Sequence, residues 1–312
     1  MQLIRQFNNI KDSQTGSVLT IGNFDGVHLG HQEILSHVRK IAAMGLEAGN
    51  LKSALLTFEP HPLKIINPKK FSSRRLQTLA RKLSFLRSNK QVDMVFLANF
   101  NQEMANLAAE DFVKEILVKK LKIKHLIVGY DFIFGKDRKG DASLLQHLAG
   151  IHNFSFHQIA AKSNDEKQIY SSTKIRNLIS DGNVKEAGEM LGREYEVDGI
   201  VMKGKQLARA LGFPTANFLP KSNLIKPKFG VYKITVTIAG KEYSGILNFG
   251  IKPTFAGETP IFEAHIFGFN GEIYGKKITV KLLDFVREER KFNSVEELKA
   301  QIEQDVLTVS NS

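Results

Sequence analysis

Residues 20–32 read Thr20-Ile21-Gly22-Asn23-Phe24-Asp25-Gly26-Val27-His28-Leu29-Gly30-His31-Gln32. The apolar run Ser17–Ile21 predicts a short strand, a glycine-bearing turn follows it, and His28-Leu29-Gly30-His31 leads into helical periodicity over Gln32–Ala43. A strand that passes through such a turn into a helix is the opening move of a parallel α/β sheet. The start of a helix offers unpaired N–H groups and a partial positive charge, and Gly30, having no side chain, lets a phosphate approach the backbone. Two imidazoles three residues apart can then address one phosphate and stabilise charge developing on it. The competing reading is a pair of surface histidines at a helix start. A metal is not indicated, because no third His or carboxylate stands at helical spacing and HExxH is missing.

The pattern continues downstream. Apolar runs at Ser53–Phe58, Met94–Leu97 and His125–Gly129 alternate with helical spacing at Leu76–Leu86 and Phe112–Leu117. This predicts a doubly wound parallel sheet with helices on both faces, in which ligands bind beyond the carboxyl ends of the strands. Beyond about residue 187 the pattern turns to β structure. Gly230–Ile238 and Glu242–Phe249 flank Ala239-Gly240, while Ile261–Phe269 and Ile278–Phe285 surround Asn270-Gly271, so an antiparallel barrel or sandwich is expected. A last helix should start at Ser294, capped with Glu297, and carry Leu298, Ile302 and Leu307 on one face. The expected domains are therefore 1–187 and 188–312, in keeping with about 100–200 residues per domain in a 312-residue chain.

Composition narrows the function classes. With no cysteine, disulfides, thiolate nucleophiles and zinc-thiolate or iron–sulfur sites are excluded. No apolar run suits a membrane helix, and Lys11, Asp12 and Ser13 interrupt any leader-like stretch, so a cytoplasmic location is expected. The net charge of +12 calls for an anionic partner, and it is uneven: 27 basic and 17 acidic residues fall in 1–187, against 17 and 15 in 188–312. No acid occurs between Glu59 and Asp93, where Lys64, Lys69, Lys70, Arg74, Arg75, Arg81, Lys82, Arg87 and Lys90 accompany Leu76, Leu79, Leu83 and Leu86. A basic amphipathic helix with its leucines inward is expected there. Its cations can form a solvated face, bind nucleic acid, or steer anionic substrates; the aromatics of a single-strand platform are missing.

Three more stretches follow strands or open helices. Thr57-Phe58-Glu59-Pro60-His61-Pro62 predicts a rigid loop presenting His61. Gly129-Tyr130-Asp131-Phe132-Ile133-Phe134-Gly135, with Arg138 and Gly140 beyond, combines aromatics with a carboxylate suited to a flat ring. Ser171-Ser172-Thr173-Lys174-Ile175-Arg176 opens a helix ending at Gly182, a second anion site. Singly these read equally well as a rigid loop, an aromatic core and ordinary capping. Gly199–Lys205 satisfies GxxxxGK, but Gln206 replaces the required hydroxyl and the context is β, so a Walker A loop is rejected.

In this order the motifs resemble bacterial FAD synthetases (riboflavin biosynthesis proteins), in which an HxGH FMN adenylyltransferase module precedes a riboflavin kinase module. The second half agrees through Leu211-Gly212-Phe213-Pro214-Thr215-Ala216-Asn217, Gly230-Val231-Tyr232, Asn248, Gly250, Pro253-Thr254-Phe255, Glu263 and Arg287-Glu288-Glu289-Arg290-Lys291-Phe292. The resemblance implies ATP, FMN and, for the kinase, riboflavin as substrates, with Mg²⁺ as cofactor and no nucleic-acid or membrane partner. It places His28, His31 and Arg176 in catalysis, and Gly22, Asn23, Phe24, Gly30, Ser171, Ser172 and Thr173 on ATP or its phosphates. It places His61, Asp131 and Phe132 on the flavin, Thr215 and Asn217 on Mg²⁺ and phosphates, and Glu263 as base for the riboflavin 5′-hydroxyl. One departure stands out. Residues 204–212 read Gly204-Lys205-Gln206-Leu207-Ala208-Arg209-Ala210-Leu211-Gly212, where the kinase pattern has a glycine- and arginine-rich loop; Gly268 also stands where an aspartate is usual. The altered loop at 204–209 adds side chains where backbone should approach ATP. FMN adenylyl transfer alone is therefore the first expectation, both activities the alternative, and a basic nucleic-acid-binding protein a remote one.

Overall fold

The computed structural model describes the chain except residues 45–50, 69–74, 164–168, 204–210, 255–256 and 312. It divides into two compact units, Met1–Ser72 with Gln77–Ser171, and Ser73–Leu76 with Ser172–Ser312. The division falls upstream of the 187/188 change in charge and pattern. The helix pair α7 (Ser172–Ser180) and α8 (Val184–Leu191) clusters with the strands that follow it, with Val184, Ala187, Met190 and Leu191 buried on α8.

In the first unit, β1 (Gln2–Arg5), β2 (Val18–Ile21), β3 (Ser53–Glu59), β4 (Met94–Asn99), β5 (His125–Gly129) and β6 (Ser155–Ile159) form a sheet in the order β1-β4-β3-β2-β5-β6, parallel throughout. The two-residue period of the strands splits the core between the faces. Leu19, Ile21, Ala54, Leu56, Met94 and Phe96 pack with the helical stretch Phe112–Lys120, which continues α5 (Ala109–Asp111), and with α6 (Ala142–His152). Val18, Leu55, Val95 and Ile127 face the other way, toward α1 (Leu29–Met44) and α3 (Leu79–Ser88). Both faces are covered, as a doubly wound sheet requires. Short helices α2 (Pro62–Ile66) and α4 (Gln102–Ala105) follow β3 and β4. Successive strands β2, β3 and β4 step one way and β5 and β6 the other, so the order reverses between β2 and β5. The residue 20–32 turn stands at that switch point, where such sheets bind ligands.

The second unit holds β7 (Tyr195–Ile200), β8 (Thr215–Phe218), β9 (Gly230–Ile238), β10 (Lys241–Thr254), β11 (Gly257–Ile266) and β12 (Lys277–Arg287), ordered β7-β12-β9-β10-β11-β8 and antiparallel. A bridge between Met202, just past β7, and Asn217 on β8 brings the two edges together, so the sheet curls as a barrel rather than opening into a sandwich. Phe249, Phe262 and Phe218 fill its interior as a stacked row, ring centroids 4.3 and 5.0 Å apart. On the outer face lies α9 (Val295–Ser310), capped as expected by Ser294, whose Oγ accepts from Glu297 N–H at 3.1 Å. The Glu297 carboxylate accepts from Asn293 N–H rather than from Ser294, so the capping box is only half formed. The helix docks through Ile302, Val306 and Val309; Leu307, expected inward, is 56% exposed. Arg287 on β12 fixes α9 through two bonds to the buried Asp305 carboxylate, at 2.8 and 2.7 Å.

The basic segment departs from its expectation. The helix begins at Leu79, not Leu76, because Arg75 pairs as a bridge with Leu224. Lys82, expected on the solvated face, is buried. Lys69, Lys70 and Arg74 lie outside the described residues. Among the described residues no helix is long and apolar enough to cross a membrane.

Candidate functional site

In the first unit the turn after β2 is tightly built. Phe24 and Val27 hold φ of 47° and 41°, a left-handed conformation that is unusual for any residue with a side chain and rarest for a β-branched one. Such conformations persist where surroundings over-determine them, and they gather at functional sites. Phe24 is buried in the core beneath α1 and stacks on His31 at 4.5 Å, so it serves as a platform for that imidazole. His31 in turn stacks on His28 at 3.7 Å. His28, buried just ahead of α1, accepts the His31 N–H on its own Nδ1 at 3.4 Å and so acts as the N-cap of α1. The helix start is therefore already engaged in part by the first histidine. The space beside Gly30 belongs to the same ring: a Cβ there would lie 3.2 Å from His28 Nδ1 and Cε1. Gly22 is likewise backed by the Phe24 ring, 3.0 Å from where its Cβ would stand. Asn23 Oδ1 is buried and makes no hydrogen bond among the described residues.

The neighbouring loops differ from expectation in one respect. His61 is buried, not presented, and its Nδ1 accepts Leu63 N–H at 3.2 Å to cap α2. The sequence places His61 on a rigid loop because its capping role shows only once the helix beginning at Pro62 is formed. After β5, Asp131 is exposed, whereas Phe132 is half-buried, stacked on Phe134 at 5.6 Å and packed on the core. Phe134 and Gly140 exchange backbone hydrogen bonds of 3.0 and 2.9 Å, closing this loop on itself. Gly129, ending β5, lies against Ile34 of α1, so the β5 loop and the histidine helix adjoin.

In the second unit Ser172, Thr173 and Arg176 stand on the first turns of α7, Thr173 exposed and Ser172 and Arg176 half-buried; Ser171 directly precedes it. The strand register makes a separate cluster. Asn248 pairs with Glu263, and Glu263 with Asn217, so one row crosses β10, β11 and β8 with its side chains on a common face. Thr215 shares that face and pairs with His265, whose Nδ1 lies 3.0 Å from Pro214 O. Asn217 is buried and, among the described residues, its Oδ1 has no hydrogen-bond partner. Thr215 and Asn217 line a cavity of about 590 Å³ bounded also by Pro214, Phe269, Glu272 and Tyr274. Among the described residues no three His, Asp or Glu side chains could hold a metal ion. A buried amide oxygen beside a hydroxyl instead fits Mg²⁺, which takes one or two protein oxygens and completes its shell with phosphate and water. The strand Thr215-Ala216-Asn217-Phe218 is too short to announce itself in the sequence, and its alternation shows only once β11 is beside it. Residues 204–209 and Phe255 lie outside the described residues.

Comparison with known proteins matches each unit. The FAD synthetase family covers residues 10–174 and the riboflavin kinase family residues 191–312. The chain is 39% identical to the bifunctional riboflavin kinase/FMN adenylyltransferase of Pseudomonas fluorescens, over 98% of this chain and 96% of that one. It is 38% identical to the protein of the same description from Escherichia coli (strain K12), over 99% and 96%. A crystal structure described as a macrolide-efflux protein from Streptococcus pneumoniae superposes with a TM-score of 0.89 at 31% identity, covering 100% of both chains. With both modules matched in order and relatives aligned over nearly its whole length, the chain belongs to the bifunctional riboflavin kinase/FMN adenylyltransferase family.

Proposed function

We propose that the chain performs both reactions in sequence, riboflavin + ATP → FMN + ADP and FMN + ATP → FAD + pyrophosphate. The altered loop at 204–209 had favoured the second reaction alone. Relatives aligned from end to end are described as bifunctional, and this favours both activities. The observation that carries adenylyl transfer is the stacked His28–His31 pair at the switch point of the parallel sheet. A phosphate oxygen of FMN attacks the α-phosphorus of ATP, the bond to the β-phosphate breaks, and pyrophosphate leaves. His28 and His31 stabilise the charge on the α-phosphate, with Gly22, Asn23 and Gly30 shaping the nucleotide pocket. Ser171, Ser172, Thr173 and Arg176 hold the leaving pyrophosphate, and Asp131 with the edge of Phe132 borders the flavin. His61 acts on that border through the loop it caps.

Phosphorylation of riboflavin rests on the Asn248–Glu263–Asn217 row. Glu263 takes the proton of the 5′-hydroxyl as it attacks the γ-phosphorus of ATP. Thr215 and Asn217 hold Mg²⁺, which supplies charge neutralisation on the phosphates. A cytoplasmic location and small-molecule partners belong to the same reading. Purified chain is given ATP and Mg²⁺ with either riboflavin or FMN, and the products are separated. Riboflavin should yield FMN and then FAD. FAD from FMN without FMN from riboflavin would reduce the protein to one activity, and no FAD from FMN would overturn adenylyl transfer.

A further inference from the structure

Among the described residues of the acid-free segment, one lysine does not face water. Lys82, on α3, is 8% exposed. Its Nζ donates to the backbone carbonyl of Asn23 at 2.8 Å and to Thr57 Oγ1 at 3.0 Å. The Thr57 hydroxyl donates to the same Asn23 carbonyl at 3.3 Å, which closes a three-membered set. An ammonium taken out of water keeps its place only where fixed oxygens replace its hydration, so these acceptors specify where Lys82 sits. In turn, two donors on one carbonyl fix the plane of the Asn23–Phe24 peptide.

What that peptide carries matters. Phe24 follows directly, in its left-handed conformation, and supports His31, which supports His28. Asn23 itself keeps a buried Oδ1 without a hydrogen bond among the described residues. Thr57 lies one residue beyond the Ile21–Leu56 pairing of β2 with β3, so the lysine joins the ends of two adjacent strands to α3 at the switch point.

We propose that Lys82 is a positioning residue for adenylyl transfer: by holding the Asn23–Phe24 peptide it sets the imidazole pair in the geometry that receives the triphosphate of ATP. This rests on the adenylyl-transfer reading above. The lysine acts through the turn, by hydrogen bonds that only an ammonium of this length can make to both oxygens.

The test uses the full-length chain. Lys82→Met keeps the methylene stem and removes the ammonium. It should lower kcat/KM for ATP in FAD formation by about 10²-fold, with KM for ATP raised, as expected for loss of alignment at a distance from the reacting atoms. A purely structural role would reduce the folded fraction and so kcat, at unchanged KM. Because the chain has no cysteine, Lys82→Cys carries a single thiol. Alkylated in denaturant with 2-bromoethylamine and refolded, it regains an ammonium at lysine length and should recover KM for ATP; alkylated with iodoethane it should not. This pair decides the matter if Lys82→Met fails to fold. The proposal is overturned if Lys82→Met stays within about twofold of the parent in both constants, or if the neutral ethyl adduct matches the ammonium adduct. Parent chain that makes no FAD from FMN would instead refute the underlying reading.

Discussion

The imidazoles of His28 and His31 lie stacked, centroids 3.7 Å apart and planes within 22° of parallel, while the His31 N–H donates to His28 Nδ1. That bond leaves the proton of neutral His28 on Nε2, where it can be donated to an oxyanion. The two rings act as one unit, so their losses should not add. His28→Ala and His31→Ala are each expected to lower FAD formation by about 10²–10³-fold, and the double variant to be little worse than the poorer single. Riboflavin phosphorylation in the same preparations should be unchanged. Fully multiplicative losses would show that the rings act independently.

Gly30→Ala separates stability from activity at the same turn. Gly30 reads in the sequence as room for an approaching phosphate, but the atoms nearest its missing Cβ are those of His28 at 3.2 Å, followed by Tyr170 Cβ at 3.4 Å. Alanine must push the imidazole by a few tenths of an ångström. Alanine is otherwise the better helix former, by about 0.8–1 kcal/mol over glycine in a helix interior, and the same preference acts in its favour here. The variant should thus melt no lower than the parent while forming FAD more slowly, measured by thermal unfolding and by product formation from FMN. Unchanged turnover would show that the His28 ring has room to spare.

The parts of the fold that could be read in advance are those whose burial is continuous. β2, β3 and β4 lie deep in the sheet, with four to five consecutive buried residues each, and appear as apolar runs. β1 has one buried residue, Ile4, and β6 none, so these edge strands leave no apolar run to recognise. The histidine turn was legible because strand, glycine and helix start are neighbours in sequence. Lys82 was not: a lysine among leucines at helical spacing reads as solvent-facing, and only Asn23, far away along the chain, shows otherwise. The Asn248–Glu263–Asn217 row was likewise hidden, since it depends on the register of three strands, one of which, β8, is far in sequence from its partner β11.

His125 gives the first unit a pH dependence. Burial, followed by the charge of nearby His157, holds its pKa below the ordinary 6.5, and among the described residues its buried Nδ1 has no hydrogen-bond partner. In the unfolded chain the ring protonates near 6.5, whereas the folded chain resists the proton until lower pH. Between those two values the unfolded state binds more protons, so stability falls as pH falls. Denaturant midpoints measured on either side of 6.5 should show this loss, and His125→Phe should flatten it. An equally steep profile in that variant would place the effect on another group.

Asn217 offers the sharpest division between folding and function in the second unit. Among the described residues its buried Oδ1 has no partner, a desolvation penalty of about 1–3 kcal/mol that folding alone gives no reason to keep. Asn217→Ala removes that oxygen and should leave stability within about 1 kcal/mol of the parent, the relief offsetting the small cavity. Riboflavin phosphorylation should fall to background, because an oxygen for Mg²⁺ is gone. Glu263→Gln, in the next position of the row, should lower kcat for phosphorylation by about 10²–10⁴-fold with little change in KM for riboflavin. Both variants should still convert FMN to FAD. Asn217→Ala that phosphorylates riboflavin normally would show that the oxygen is not a ligand, and a large fall in its unfolding midpoint would show that Asn217 is held for packing.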